Sequence, residues 1–449
     1  MNGTSPAPPD LVPGGGIGRE SRFAELLAAP ATPDPQRPAL LVRRIEGRSF
    51  LDLIPNPAWL SDALRTEATA QPSAAARFVF NAAAESLLRS APRELVVVVV
   101  STYNSSRYVL ATLATVAAQD QSPLLVVVAD DGSTDDTARK VEEFAAGSGT
   151  ALALAVIPHL GNPGLTRNVG LYCLCPPEVE YVTFMDGDDL YASPDAVRRL
   201  VDAVRPDPRR IAAFGDYDWI DQNGDPLARA GGIRATGAGA EWRARRRLTW
   251  TNLAVGNLVV FHLQCLLVRA GAPFMPYRPH GEDAEYYCLL FRWSAALWDG
   301  GLDGVVQLPA LIARYRKHDA SLTARPLTTA WQEPPRTRRY PLATELVPRF
   351  YDLAAIPDEY VTADNVSQFR SRQFAREFLR AAFRAELGRA WAAVRVALRT
   401  PGMMARHVLA LPAVELATDP STRDVLRRTL LVVLRGRRRG GASATPSAS

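Results

Sequence analysis

The chain is poor in lysine, in cysteine and in long apolar runs, and each shortage excludes a class of protein. Of its 52 basic residues only Lys140 and Lys317 are lysines, so 52 − 2 = 50 are arginines. The arginine excess points to a coding bias, and the net charge of +5 forms no clustered basic face before the C-terminus. Because binding to nucleic acid needs such a face, we expect no nucleic-acid partner.

Cysteine content and hydropathy indicate the cellular compartment in which the protein works. The four cysteines (Cys173, Cys175, Cys265 and Cys288) have neither zinc-ligand spacing nor the density of a disulfide scaffold, which favours buried thiols in a reducing compartment. No run approaches the roughly 18 apolar residues of a membrane span, and the first residues lack the basic and apolar parts of a secretory signal. We therefore expect a cytoplasmic protein.

Changes in composition divide the chain into five segments. We predict a disordered N-terminus (1–20), an N-terminal extension (21–92), an α/β domain (93–330), a helical C-terminal region (331–436) and a disordered tail (437–449). The two outer segments offer too little apolar area to offset the entropy of ordering. Within the extension, the residue pattern predicts a helix near 23–27, a strand near 39–42 and a helix over 78–88.

From Glu94 onward, β-branched runs alternate with helical stretches. The predicted strands are 95–100, 124–129, 151–157 and 181–185, and helices are predicted over 108–118, over 134–146 and around Arg167. This alternation is typical of an open α/β sheet with crossover helices on both faces. Polar clusters follow three of the strands, as STYN, ADDGS and MDGDD. Since ligands bind outside the carboxyl ends of such strands, we expect these clusters to form one site.

The turn after the fourth strand carries two carboxylates, Asp186 and Asp188, separated by Gly187. Hard divalent cations such as Mg²⁺ or Mn²⁺ prefer oxygen ligands and are commonly held by one or two carboxylates together with substrate phosphates. A short acidic string on its own is more often a solvated turn or a helix cap. The surrounding motifs favour the metal site here.

Four segments resemble the family-two inverting glycosyltransferases with the GT-A fold. They are STYNSSRYVLATLATVAAQD, VVVADDGSTDDT, GNPGLTRNVGL and VTFMDGDDLYASPDAV, in the order and spacing of that family over residues 94–205. Looser matches continue to about residue 325, as GDYDWIDQNGDPL, HGEDAEYYCLLFRW and ARYRKHDASLT. The resemblance implies a Rossmann-like, mainly parallel sheet as the catalytic domain, with the N-terminal extension and the α-helical C-terminal region as additions.

The resemblance also assigns nucleotide-binding residues. It implies that Ser101, Thr102 and Tyr103 line the nucleotide pocket and that Asp131 binds the base, which is uracil in most relatives. Arg167, within LTRN, matches the arginine that the family places near the nucleotide and diphosphate. From the residues alone, a salt bridge for Arg167 and loop packing for Tyr103 remain open alternatives.

For the acidic turn, the resemblance implies that Asp188 is the direct ligand of Mn²⁺ or Mg²⁺. Asp186 would face the ribose or the metal, and Asp189 would stand behind them. A metal on the diphosphate would neutralise the charge of the leaving group as the glycosidic bond breaks.

The Glu282-Asp283 pair resembles the acidic motif with which the family begins a helix. An inverting transfer needs a base that takes the proton of the acceptor hydroxyl, and we assign this role to Asp283. The open alternative is a helix N-cap with favourable placement on the helix dipole.

The segment Arg316-Lys317-His318, with Ser321, resembles a late Arg-x-His-x-x-Ser motif that folds over the diphosphate in relatives. Arginine suits phosphate oxygens, and His318 would act as a donor or a metal ligand. A surface cluster is the alternative. His262 and His280 are either acceptor-site or structural residues.

The later part of the chain bears on processivity and on binding partners. Arg292-Trp293 follows Asp283 without the glutamine of processive synthases, and no membrane helix is predicted, so we expect a non-processive or weakly processive enzyme. The last predicted helix, 424–433, and the arginine cluster at 435–439 fit contact with the inner face of the plasma membrane, or packing on the catalytic domain or a dimer partner.

Together these features predict an inverting, metal-dependent transfer of a sugar from a nucleotide-diphosphate sugar, UDP-linked by resemblance, to a glycan or lipid-linked acceptor. The alternative is a non-catalytic component of a polysaccharide assembly complex that binds nucleotide sugar or glycan. A nucleotidyltransferase would need a Gly-rich, basic loop after the first strand, and STYNSS is not such a loop.

Overall fold

A computed structural model describes residues 23–44, 76–90, 92–161, 163–227, 262–270, 290, 293–295 and 297–319. The chain divides into two compact units, and all described residues belong to the unit formed by 1–234, 240–249 and 258–324. The predicted disordered termini, the helical region 331–436, Cys288 and most of the loop after Trp219 lie outside the described residues. Within the described part of the chain, no helix is both long and apolar enough to cross a membrane.

The described strands form one mixed sheet with the order β1-β2-β3-β6-β5-β4-β7-β10-β9-β11-β8. The strands are β1 (Ala31–Pro33), β2 (Leu40–Arg44), β3 (Arg77–Asn81), β4 (Leu95–Thr102), β5 (Leu124–Asp130), β6 (Leu152–Val156), β7 (Val179–Asp186), β8 (Leu190–Tyr191), β9 (Ala212–Ile220), β10 (Leu266–Arg269) and β11 (Val305–Arg316). The helices are α1 (Phe23–Ala28), α2 (Ala82–Ser90), α3 (Val109–Ala117), α4 (Thr137–Gly147), α5 (Pro163–Val169) and α6 (Ala196–Val204).

The centre of the sheet is parallel, which confirms the predicted α/β class. Strand β4 pairs in parallel with β5 and β7, and β5 pairs in parallel with β6. All eight residues of β4 are buried, as expected for a β-branched run that is covered on both faces. Because β10 is antiparallel to both β7 and β9, the carboxyl ends of β7 and β9 lie at the same edge of the sheet as those of β4 and β5.

The N-terminal extension adds antiparallel strands to this sheet, and here one prediction is partly wrong. The predicted helix over 78–88 is a strand as far as Asn81, and α2 begins only at Ala82. Phe78, Val79 and Phe80 are buried because β3 pairs with β2 on one side and with β6 on the other. The Asn81 side chain then accepts a hydrogen bond from the backbone N–H of Ala84, at 2.9 Å, and starts the helix.

Helix α4 also begins later than predicted, at Thr137 instead of residue 134. The intervening residues are engaged elsewhere: the Thr134 N–H donates to Asn104 Oδ1 at 2.8 Å, and the Ser133 N–H donates to Asp130 Oδ2 at 3.2 Å. These local bonds compete with the helical ladder and hold the loop against the end of β4.

Candidate functional site

Backbone hydrogen bonds across the strand ends bring the three polar clusters together. The Gly187 N–H donates to the Ser101 carbonyl at 2.8 Å, which joins the ends of β7 and β4. The Asp131 N–H donates to the Thr102 carbonyl at 2.9 Å, which joins the ends of β5 and β4. The predicted convergence of these clusters is therefore present in the fold.

Asp186 is bonded by three side chains. Its Oδ1 accepts from Arg167 Nη2 at 2.6 Å and from Ser101 Oγ at 2.9 Å, and its Oδ2 accepts from Gln264 Nε2 at 2.5 Å. Burial opposes ionisation, but the Arg167 charge and these hydrogen bonds hold the pKa of Asp186 below its ordinary value. Asp186 is thus held as an anion.

Gly187 is required by close packing of the turn. A Cβ at this position would lie 2.6 Å from Thr102 Oγ1 and 2.8 Å from Thr102 Cβ. The Gly187 carbonyl also accepts a hydrogen bond from Thr112 Oγ1 at 3.0 Å. The turn therefore lies directly against β4 and the start of α3.

Asp188 faces the end of β11. Its Oδ2 lies 2.8 Å from His318 Nε2, and its backbone carbonyl accepts from Arg316 Nε at 2.7 Å. Nη1 of Arg316 donates to the Asp221 carbonyl at 3.1 Å, and the guanidinium lies 4.9 Å from the centre of the Tyr108 ring. The late segment predicted to cover the diphosphate therefore packs on the acidic turn.

Asp189 differs from its two acidic neighbours because it is fully enclosed, with 1% of its surface exposed. Its Oδ1 accepts from the Arg316 backbone N–H at 2.7 Å. Burial, followed by the charges of Asp188 and Asp186, raises the pKa of Asp189 well above its ordinary value. This buried residue thus joins β11 to the turn.

Asp131 is held by the loop that follows β6. Its two carboxylate oxygens accept the backbone N–H groups of Leu160, at 2.6 Å, and Gly161, at 3.0 Å. His159 Nδ1 lies 3.0 Å from Asp131 Oδ2, and its ring stacks on the Tyr103 ring with centroids 4.1 Å apart. Burial raises the pKa of Asp131 to about 6, against these hydrogen bonds and the His159 charge.

Beside Asp186, aromatic rings surround His262. The His262 ring lies 4.2 Å from the Tyr217 ring and 4.8 Å from the Tyr315 ring, centroid to centroid. Lys317 Nζ lies 4.4 Å from the centre of the Tyr315 ring and 4.8 Å from that of Trp219. Burial, followed by the Lys317 charge, lowers the pKa of His262 to about 4, so this imidazole is neutral near pH 7.

The side chains at the acidic turn supply some of the ligands that a hard divalent cation needs. Asp188 and His318 face each other, with 25% and 10% of their side chains exposed, and Asp186 lies on the same turn. A carboxylate oxygen and an imidazole are suitable protein ligands, and such ions take their remaining ligands from water and phosphate. Within the described ranges, no group of three or more His, Cys, Asp or Glu side chains is arranged to hold a metal by itself.

Most of the predicted site residues therefore meet at one edge. Ser101 and Arg167 contact Asp186 directly, His318 contacts Asp188, and Tyr103 reaches Asp131 through His159. Thr102 packs under the turn with 5% of its surface exposed. The predicted base Asp283, its neighbour Glu282, His280 and Ser321 lie outside the described residues.

Three residues that contact the site were not predicted from the sequence: Gln264, His159 and Tyr108. Gln264 reaches Asp186 because β10 pairs with β7, and a pairing between distant segments leaves no local sequence signal. His159 follows the third predicted strand, so its place at a carboxyl strand end was the available clue. The Tyr108 ring lies 4.7 Å from the His318 ring, through packing of the segment before α3 on the end of β11.

The fold and the site define a class: an α/β domain with acidic, basic and aromatic side chains collected at the carboxyl ends of its parallel strands. Residues 97–253 match the family model described as Glycosyl transferase family 2, so this part of the chain is similar to that family.

Curated relatives match over short segments. Poly(ribitol-phosphate) beta-N-acetylglucosaminyltransferase TarS of Staphylococcus aureus (strain Mu50 / ATCC 700699) is 40% identical over 97 residues, which are 20% of this chain and 16% of that protein. An uncharacterized glycosyltransferase of Haemophilus influenzae is 30% identical over 125 residues, 27% of this chain and 36% of that protein. The chain thus spans well under half the length of these relatives.

Solved structures are similar at low sequence identity. S. aureus TarS 1-349 in complex with UDP-GlcNAc is 18% identical, with a TM-score of 0.43 over 79% of this chain and 94% of that chain. The mannosyltransferase PcManGT from Pyrobaculum calidifontis, in complex with GDP-Man and Mn2+, is 17% identical, with a TM-score of 0.39 over 82% of this chain and 95% of that chain.

Proposed function

We propose that the chain transfers a sugar from a nucleotide-diphosphate sugar, UDP-linked, to a hydroxyl group of a glycan or lipid-linked acceptor, with inversion at the anomeric carbon. One observation carries the proposal. The Asp186-Gly187-Asp188 turn lies at the carboxyl edge of the parallel strands, with Arg167 bonded to the first carboxylate and His318 to the second. Acidic and basic groups so arranged suit a metal-bound diphosphate.

The nucleoside is assigned to the neighbouring strand ends. Asp131 offers a buried carboxylate that two backbone N–H groups hold in place, and it would accept the N–H of a uracil ring. Tyr103, 44% exposed and backed by His159, offers an aromatic surface beside it. Ser101 and Thr102 end β4, which lies between β5 and β7 and so between this position and Asp186.

For the diphosphate, Asp188 and His318 would hold Mn²⁺ or Mg²⁺, with Asp186 next to them. When bound, the ion would neutralise the charge that develops on the departing diphosphate. Arg167 places a second positive charge beside Asp186. Nε and Nη1 of Arg316 are engaged by carbonyl oxygens, so this residue would serve the site by holding β11 against the acidic turn as well as by its charge.

The chemical step needs a base. We assign this role to Asp283 because the Glu282-Asp283 pair resembles the acidic motif of the family. The acceptor oxygen attacks the anomeric carbon, and the bond to the diphosphate breaks with its electron pair leaving on the nucleotide. The proton of the attacking hydroxyl passes to the Asp283 carboxylate. A curated relative named for transfer to poly(ribitol-phosphate) supports a polymer of hydroxyl-bearing units as the acceptor class.

Replacement of Asp188 tests the proposal. We expect Asp188→Ala to abolish Mn²⁺-dependent hydrolysis and transfer of a UDP-sugar, because it removes the carboxylate assigned to the metal. Asp202→Ala, an exposed helix residue paired with Arg205, is the matched control and should keep wild-type rates. Circular dichroism checks that both variants are folded. Full activity of Asp188→Ala would contradict the metal assignment, and a wild-type chain that binds a UDP-sugar without turnover would favour the non-catalytic alternative.

A further inference from the structure

Gln264 contacts the acidic turn from the side opposite the nucleotide-binding strands. It lies in a short 3₁₀ turn, Leu263–Cys265, directly before β10, and 4% of its surface is exposed. The antiparallel pairing of β10 with β7, in which Leu267 faces Thr183, fixes its position at the end of β7. From there Nε2 donates to Asp186 Oδ2 at 2.5 Å.

The other end of the same amide is the carbonyl oxygen Oε1. Gln264 Oε1 is buried and has no hydrogen-bond partner among the residues that the structure describes. Because the oxygen and nitrogen of an amide are only about 2.3 Å apart, Oε1 lies within roughly 5 Å of Asp186 Oδ2. A buried carbonyl oxygen without a donor costs free energy, so its place beside the acidic turn needs a reason.

We propose that Gln264 is a positioning residue that connects Asp186 to the bound nucleotide. Its Nε2 orients the carboxylate, and its Oε1 accepts a hydrogen bond from an O–H group that arrives with the ligand. That O–H belongs either to the ribose or to a water on the nucleotide-bound metal, and the chemistry is the same in both cases. This inference rests on the proposed function.

A glutamine suits this position better than its charged isostere. A glutamate would have no N–H to donate to Asp186 and would place a second negative charge beside it. Methionine has a similar length and volume but neither donor nor acceptor, so Gln264→Met removes both hydrogen bonds with little change in packing.

Calorimetric titration with UDP in the presence of Mn²⁺ tests the proposal. We expect Gln264→Met to weaken UDP binding by about tenfold, while its melting temperature stays within about 2 °C of wild type. The control is Gln119→Met: Gln119 donates to the carbonyls of Thr115 and Ser193 and accepts from the Val197 N–H. This control should lose stability and bind UDP with wild-type affinity.

Two further titrations identify which O–H group donates to Gln264 Oε1. If the loss in Gln264→Met disappears with 2′,3′-dideoxy-UDP, the O–H is on the ribose; if it disappears without Mn²⁺, it is on metal-bound water. Gln264→Glu provides a second variant of nearly unchanged shape, and it should also bind UDP weakly.

The outcomes separate the inference from the function on which it rests. Binding of UDP to Gln264→Met within about twofold of wild type would overturn the inference, as would a melting temperature that falls as far as that of Gln119→Met. Failure of the wild-type chain to bind UDP with Mn²⁺ would instead reject the proposed function.

Discussion

At the scale of single residues, the three acidic groups of the turn differ in what surrounds them. Asp186 has Arg167, Ser101 and Gln264 as donors, which keep its pKa low against the effect of burial. Asp189 has a single backbone donor and two like charges nearby, so burial and repulsion raise its pKa. The surroundings thus shift the pKa values of Asp186 and Asp189, three positions apart in one motif, in opposite directions.

The raised pKa of Asp131 predicts a pH dependence for nucleotide binding. Burial lifts this pKa from 3.8 to about 6, so the carboxylate is protonated below about pH 6 and ionised above it. In the proposed role, the ionised form would accept the loop N–H groups and an N–H of the base together, so affinity should rise with pH. We expect UDP-N-acetylglucosamine to bind about tenfold more weakly at about pH 5 than at about pH 7, measured by calorimetry.

Asp131→Asn is the control for this prediction. It should bind the nucleotide sugar weakly across the range, because an amide cannot accept at both of its terminal atoms. A wild-type affinity that does not change between about pH 5 and about pH 7 would disprove the role of Asp131 ionisation.

A second residue-scale prediction concerns Gly187. Gly187→Ala should lower the free energy of unfolding by about 1–3 kcal/mol and reduce activity strongly, because the new Cβ would overlap Thr102 under the acidic turn. Gly147→Ala is the matched control: nothing lies within 4 Å of the Cβ built at that helix residue. Urea unfolding and sugar-transfer assays compare the two variants. Wild-type stability and activity of Gly187→Ala would refute the packing argument.

At the scale of elements, the N-terminal extension is tied to the parallel part of the sheet by charge as well as by strand pairing. Glu142 on α4 accepts from Arg37 at 2.8 Å and also from Arg77 on β3. Arg43 on β2 pairs with Glu85 on α2, and both residues are buried. The extension is thus part of the sheet, which gives these residues a structural purpose that their composition did not reveal.

This arrangement predicts that replacing two adjacent glutamates, Glu142 and Glu143, lowers the unfolding free energy by different amounts. Glu142→Ala should cost about 2 kcal/mol of unfolding free energy, because it leaves two partly buried arginines without their shared carboxylate. Glu143, half exposed on the same helix, makes surface ion pairs, so Glu143→Ala should cost less than about 0.5 kcal/mol. Denaturant titration of both variants checks this, and equal losses would count against the network.

At the scale of the whole molecule, the site depends on strands far apart in the chain. The ends of β4, β5 and β7 carry Ser101, Asp131 and Asp186, and β10 and β11 then bring Gln264, Arg316 and His318 to the same edge. Extra strands continue the sheet beyond β6 on one side and beyond β7 on the other. The described residues therefore form a parallel centre where the motifs meet, and both flanks join this centre through antiparallel pairs, β3 with β6 and β10 with β7.

The sequence alone determined the parallel centre and the polar and acidic clusters at its carboxyl edge. A β-branched run such as 95–100 can be buried only where both faces of a strand are covered, and polar residues directly after such runs must lie at one edge. By contrast, the strand at Phe78–Asn81, where a helix was predicted, is fixed by pairing with β2 and β6, and its aromatic and β-branched residues suit such a buried strand. The Gln264 contact with Asp186 and the partners of Arg316 were likewise decided by tertiary structure. Hydrogen bonds between segments tens of residues apart depend on strand order and register, and no local pattern encodes these.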